Sequence, residues 1–197
     1  MLHHIPNALC VLRMLMAIPV ALLLAHGVFD ATLVVFGVAA ITDGLDGYLA
    51  KRFHWTSELG KALDPLADKI LLVTAFITLA LVSRESNGSP LIPIWIVVPV
   101  VARDIVITVG AIIYVNTVGP LTEARPTIIS KLNTLFQIAY ILAIVATAAL
   151  GVTWGVLIAV LSTVVVVTTI ISGIDYIATY AQRAITISRS RRDGPVA

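Results

Sequence analysis

Two pairs of aspartates interrupt an otherwise apolar chain in the stretch "DGLDGYLAKRFHWTSELGKALDPLAD", residues 43–68. Asp43 and Asp46 are three residues apart, and Gly47 and Ala50 continue the same helical stripe, so two carboxylates and two small residues share one face. Gly60, Asp64 and Asp68 follow at intervals of four and define a second stripe. An ionised group in a membrane region costs at least about 2.5 to 3.5 kcal/mol, so a cluster of this kind needs strong positive compensation. The local bases, Lys51, Arg52 and Lys61, are too few and too mobile to provide it. Oxygen-only ligands favour hard divalent cations, with Mg²⁺ or Mn²⁺ foremost and Ca²⁺ also possible by chemistry. Paired metals clamp phosphoryl groups in displacement reactions, and two ions are the natural count for this many carboxylates. Asp43, Asp46, Asp64 and Asp68 are therefore the candidate metal ligands.

A plainer reading exists for each aspartate taken singly. Asp64 precedes Pro65, and Asp-Pro is a common N-cap and first-turn pair, which would start the helix at that point. Asp43 and Asp46 could pair with Lys51 and Arg52 at a helix end. Taken together, with Gly47, Ala50 and Gly60 at matching faces, the carboxylates favour a metal site that a bulky group approaches closely.

The elements that must position these residues are membrane helices. The chain has 197 residues, 59% hydrophobic and 12% charged, with a mean hydropathy of +1.01, a composition outside that of soluble domains. Spanning a bilayer takes about 20 mostly apolar residues, and free backbone groups find no solvent inside it, so helices are expected. The apolar segments do not alternate as barrel strands would. Spans are expected at Leu9–His26, Ala31–Ala50, Leu59–Val82, Ile92–Val118, Thr127–Leu150 and Trp154–Tyr180. The connections are short, so the expected fold is all-α: six transmembrane helices in one bundle, forming a single domain over residues 1–197. The first span lacks a small-residue cleavage site and is expected to stay in the mature protein. A lone cysteine, Cys10, leaves no internal disulfide.

Lysine and arginine set the orientation. Lys51, Arg52, Lys61, Arg125, Arg183, Arg189, Arg191 and Arg192 fall on the same side as both termini, and the opposite connections contain only Arg84. The positive-inside rule then places the aspartates and both termini in the cytoplasm. The tail "QRAITISRSRRDGPVA" reads as a solvated topogenic flank, with anionic head groups as the other partner it could hold. The expected partner is a lipid bilayer and not a nucleic acid.

Arg103 and Lys131 lie inside or at the edge of spans, where ionisable residues are functional candidates, and together they would suit a phosphate-bearing molecule. The alternative for Arg103 is a pair with a nearby acid such as Asp104 or Asp175. Arg13 could bind nucleotide or simply flank the first span, and the four histidines, His3, His4, His26 and His54, have no ligand spacing.

The signature resembles that of the CDP-alcohol phosphatidyltransferase family, D-x2-D-G-x2-A-R-x8-G-x3-D-x3-D. Asp43, Asp46, Gly47, Ala50, Gly60, Asp64 and Asp68 match it at every spacing, and Lys51 stands where the family usually has Arg, with Arg52 beside it. "IPNALCVLR", "ARD" at Ala102–Asp104 and "RPTIISKLNTLFQ" at Arg125–Gln137 are similar to segments of the branch that makes phosphatidylglycerophosphate and cardiolipin. The S-K-x-N-T form at Ser130–Thr134 resembles mitochondrial-type cardiolipin synthases more than phosphatidylglycerophosphate synthases.

The resemblance implies a polar cavity open to the cytoplasm, a homodimer in a bacterial inner membrane, and transfer of a phosphatidyl group from CDP-diacylglycerol to a glycerol-type acceptor with release of CMP. It implies further that Asp68, besides ligating metal, takes the acceptor proton. Gly47, Ala50 and Gly60 would let the nucleotide lie against the helices, with Lys51 or Arg52 adding charge. Arg103 and Lys131 would hold the acceptor, glycerol 3-phosphate or phosphatidylglycerol. The competing class is a divalent-cation transporter, for which the acids would sit near the bilayer midplane on broken, repeated helices.

Overall fold

The computed structural model describes the backbone of residues 5–53, 58–82, 91–117 and 127–192; its side chains are described within 11–42, 69–82, 91–110 and 127–179, with Ile113 and Gln182 besides. Six helices follow one another: α1 (Ile5–Ala25), α2 (Phe29–Phe53), α3 (Glu58–Leu81), α4 (Ile94–Thr117), α5 (Ile128–Leu150) and α6 (Gly155–Arg192). They fall where the apolar runs placed them, and the described residues include no strand.

Local chemistry sets the corners. Gly27 has φ 69°, and around it the Val28 amide donates to Leu23 O at 2.9 Å and the Gly27 amide to Leu24 O at 3.0 Å. This is the two-bond left-handed stop that needs a residue without a Cβ, and it turns α1 into α2 within three residues. Gly151, φ 65°, ends α5 in the same conformation. At the other end of α5, Thr127 caps the helix by accepting from the Ser130 amide at 3.3 Å.

α1 packs most extensively on α3 and also on α2; α5 lies between α2 and α6, and α4 lies against α6. The core runs through Val20, Leu24, Phe36, Leu72, Phe76, Leu79, Ile96, Val100, Tyr140 and Ile141. Phe76 and Tyr140 stack with ring centres 6.2 Å apart and so join α3 to α5.

Outside this core the distribution is inverted relative to a protein in water. Leu15, Ile18, Val34, Ile41, Ile94, Val98, Val156 and Ile174 are exposed, whereas Arg13, Arg103, Asp104, Asn133, Gln137 and Ser172 are buried. An apolar exterior this continuous fits a lipid surround. Two helices, Ile128–Leu150 and Gly155–Thr179, are long and apolar enough to cross a membrane among the described residues. Several threonines inside the helices bond their hydroxyls back to the helix backbone. Thr32, Thr78, Thr108, Thr147 and Thr168 each donate to the carbonyl four residues back at 2.7–2.8 Å.

α6 continues past the expected end of its apolar run. It remains helical from Gly155 to Arg192, 38 residues or about 57 Å. The basic tail is thus an extension of the last helix up to that point, where the sequence suggested only a flank.

Candidate functional site

The backbone carries the two aspartate stripes on two unbroken helices. Asp43, Asp46, Gly47, Ala50, Lys51 and Arg52 lie on the C-terminal part of α2, and Gly60, Asp64 and Asp68 on the N-terminal part of α3. Only residues 54–57 separate the helices. The side chains of these nine residues lie outside the described ones, so the structure bears on their helical register and not on their contacts. That register decides one alternative. α3 starts at Glu58, six residues before Asp64, so Asp64 is not the cap of a helix that begins at Pro65. Gly60, Asp64 and Asp68 therefore share one stripe of a continuous helix.

Immediately after Asp68 the side chains are described, and they form a buried polar cluster that joins four helices. Lys69 on α3 donates from Nζ to Thr108 Oγ1 on α4 at 2.7 Å and makes a longer contact, 3.4 Å, with Asp104 O. Arg103 on α4 is 8% exposed. Its Nη1 donates to Asp104 Oδ1 at 2.7 Å, and its Nη2 donates to both Ser130 Oγ on α5 and Ser172 Oγ on α6, each at 2.6 Å. Its Nε has no hydrogen-bond partner among the described residues. Of the two partners open to Arg103 on sequence grounds, Asp104 is the one it takes; Asp175 is half-buried on α6.

Lys131, the second candidate acceptor cation, is exposed. It stands about 100° further round α5 than Ser130, which meets Arg103, so the two proposed cations occupy different faces. The cation that shares the Arg103 cluster is Lys69. Sequence reasoning passed over Lys69, although an ionisable residue within an apolar helix was signal enough to find it. Ser172 had no such signal, because it is one of three hydroxyl residues in the run "TTIISG" and carries no charge.

Next along α5, Asn133 is fully buried, with Oδ1 2.8 Å from Thr168 Oγ1 and 2.9 Å from Thr169 Oγ1 on α6. Its Nδ2 and the Nε2 of Gln137, one turn on, lack partners among the described residues. Arg13 is 4% exposed and so does not flank the first span. It lines a recess of about 20 Å³ with Phe36, Ala39, Leu71, Leu72 and Thr134, room for little more than a water molecule.

The described site is thus a cation-rich polar interior in an all-helical, apolar-surfaced protein, next in sequence to the carboxylate stripes. Residues 3–189 match the family model described as CDP-alcohol phosphatidyltransferase, and the chain belongs to that family. Among curated relatives it is similar to "Cardiolipin synthase (CMP-forming)" of Rattus norvegicus, 32% identical over 158 residues, which are 72% of this chain and 50% of the relative. It is also similar to "CDP-diacylglycerol--glycerol-3-phosphate 3-phosphatidyltransferase" of Pseudomonas fluorescens, 36% identical over 112 residues, 53% of each chain. The protein of that same name from Bacillus subtilis is 28% identical over 153 residues, 70% of this chain and 74% of the relative. The chain spans about half the length of the first two of these relatives.

Proposed function

We propose that this protein transfers a phosphatidyl group from CDP-diacylglycerol to a glycerol-type acceptor, glycerol 3-phosphate or phosphatidylglycerol, and releases CMP. The observation that carries the reading is the continuity of α2 and α3 through the aspartates, which keeps seven signature residues at helical register on two consecutive helices. The names of the relatives point the same way.

In this reading all six helices span a bacterial inner membrane, the cavity and both termini face the cytoplasm, and the protein works as a homodimer. The apolar exterior and buried polar interior support the first part. The donor set fits hard cations, since Asp43, Asp46, Asp64 and Asp68 offer oxygen alone. They would hold two divalent ions, Mg²⁺ or Mn²⁺, which when bound supply the positive charge that a pyrophosphate diester and departing CMP require.

The chain's own residues do the rest. Gly47, Ala50 and Gly60 leave room for the nucleotide along the helices, and Lys51 or Arg52 adds charge beside it. Asp68 accepts the proton of the acceptor hydroxyl. The freed oxygen bonds to the phosphorus that carries the diacylglycerol, and the bond from that phosphorus to the CMP oxygen breaks. Arg103 holds the acceptor, presenting from the buried cluster its Nε, which has no partner among the described residues, and Lys131, exposed on another face of α5, is left outside that contact.

Incubation of the purified protein with CDP-diacylglycerol and each acceptor, with and without divalent metal, tests this. Metal-dependent CMP release that requires an acceptor is the expected result. No release with either acceptor would reject the reading, and the mass of the lipid product identifies which acceptor is used.

A further inference from the structure

Three carboxylates have described side chains: Asp30 on α2, Asp104 on α4 and Asp175 on α6. Asp30 is exposed in the first turn of its helix, where the dipole favours negative charge, and Asp104 is paired with Arg103. Asp175 has neither support. It is half-buried in the middle of α6 and makes no hydrogen bond or ion pair among the described residues. A carboxylate placed so within an apolar helix is costly unless a donor reaches it.

The direction of Asp175 follows from exposure along α6. Ile171, Ile174 and Ile177 are exposed, whereas Thr169 and Ser172 are buried and Asp175 and Tyr176 half-buried. Asp175 stands about 60° round the helix from Ser172 and about 4.5 Å further along it. Ser172 accepts from Arg103 Nη2 at 2.6 Å, and the Tyr176 hydroxyl donates to Ile107 O on α4 at 2.8 Å. The side of α6 that meets the Arg103 cluster thus carries a carboxylate less than one turn beyond it.

Arg103 supplies the complement. Its Nε is buried without a partner among the described residues, and a guanidinium keeps its protons, so Nε is a donor that lacks an acceptor. An open donor beside an open carboxylate suits a ligand that has both an oxyanion and a donor of its own. That donor is a neutral hydroxyl, because Arg103 and Lys69 already bring positive charge to the cluster and repel an ammonium group. Both candidate acceptors contain this combination. In glycerol 3-phosphate and in the head group of phosphatidylglycerol, a hydroxyl-bearing carbon separates the phosphate-bearing carbon from the one whose hydroxyl reacts.

We propose that Asp175 is a specificity-determining residue, which accepts a hydrogen bond from the non-reacting middle hydroxyl of the acceptor while Arg103 Nε donates to its phosphate. This assignment deepens the acceptor site proposed above and rests on it. An alcohol without the middle hydroxyl leaves the carboxylate unpaired, and a site built to bond a hydroxyl rejects the analogue that lacks it.

The test uses acceptors in pairs that differ only in the middle hydroxyl: glycerol 3-phosphate with 3-hydroxypropyl phosphate, and phosphatidylglycerol with phosphatidyl-1,3-propanediol. Wild type, Asp175→Ala and Asp175→Asn are reconstituted in lipid nanodiscs, and kcat/KM is measured for each acceptor with saturating CDP-diacylglycerol and Mg²⁺. Wild type is expected to favour the glycerol member of the pair it uses by about tenfold or more, the value of one charge-assisted bond. Asp175→Ala should lose about that factor with the glycerol acceptor and change by less than about twofold with its deoxy counterpart, so that the preference vanishes. Asp175→Asn keeps the shape and a neutral oxygen and should fall between the two. Equal losses on both members of a pair would mark Asp175 as a structural contact and overturn the proposal, as would a wild type without preference. If the Ala variant fails to fold, the Asn variant decides by the same ratio. If wild type releases no CMP with any acceptor, the transferase reading falls, and calorimetry with glycerol 3-phosphate and 3-hydroxypropyl phosphate decides the role of Asp175. Tighter wild-type binding of the former, lost in the Asn variant, supports that role; equal or absent binding removes it.

Discussion

Arg103 and Asp104 are neighbours on α4 whose side chains close on one another, with Nη1 2.7 Å from Oδ1 and each side chain 7% exposed. Adjacent residues point about 100° apart on a helix, so the pair uses the length of the arginine to fold back along α4. Truncating Asp104 leaves the guanidinium buried without its counter-charge. Asp104→Ala is expected to lose about 3 to 5 kcal/mol of stability, measured by denaturant unfolding in mixed micelles. A loss of about 1 kcal/mol or less would mean that the serines alone satisfy the cation.

Lys69 ties α3 to α4 one residue after Asp68, through Thr108 Oγ1 and Asp104 O. Lys69→Met keeps the aliphatic length and removes the donors. Small misplacements of a reacting group cost heavily, so kcat is expected to fall about 10- to 100-fold while KM for CDP-diacylglycerol changes little. Lys69→Arg should recover part of the rate. An unaltered kcat in the Met variant would show that apolar packing alone positions this end of α3.

Asp68 is the proposed base. Asp68→Asn should abolish CMP release while binding of a cytidine nucleotide partly survives, read by calorimetry beside the activity assay. Near-normal turnover would reject the role. In the unaltered protein, chelation with EDTA should stop the reaction, and added Mg²⁺ or Mn²⁺ should restore it.

Gly110 lies where α4 meets α6. A Cβ added to it would come 3.2 Å from Tyr176 Cε1, and the Tyr176 hydroxyl is held by Ile107 O at 2.8 Å, so the ring has little freedom to retreat. Gly110→Val is expected to destabilise by about 1 to 3 kcal/mol, the range for overpacking. A melting temperature equal to that of the unaltered protein would show that the α4–α6 interface yields.

What the amino-acid sequence determined by itself was local. Apolar runs of spanning length set six helices, glycine at Gly27 and Gly151 set two corners, and intervals of three and four set the aspartate stripes, because backbone hydrogen bonding and helical period depend only on near neighbours. Tertiary structure decided how the helices face one another. Helices that are apolar nearly all round carry little signal for which side turns inward. Only packing could place Ser172 on Arg103 from 69 residues away, and only packing could turn Lys131 outward while Lys69 joins the cluster. A buried cation must find acceptors within reach, and which acceptors those are depends on the contacts between helices.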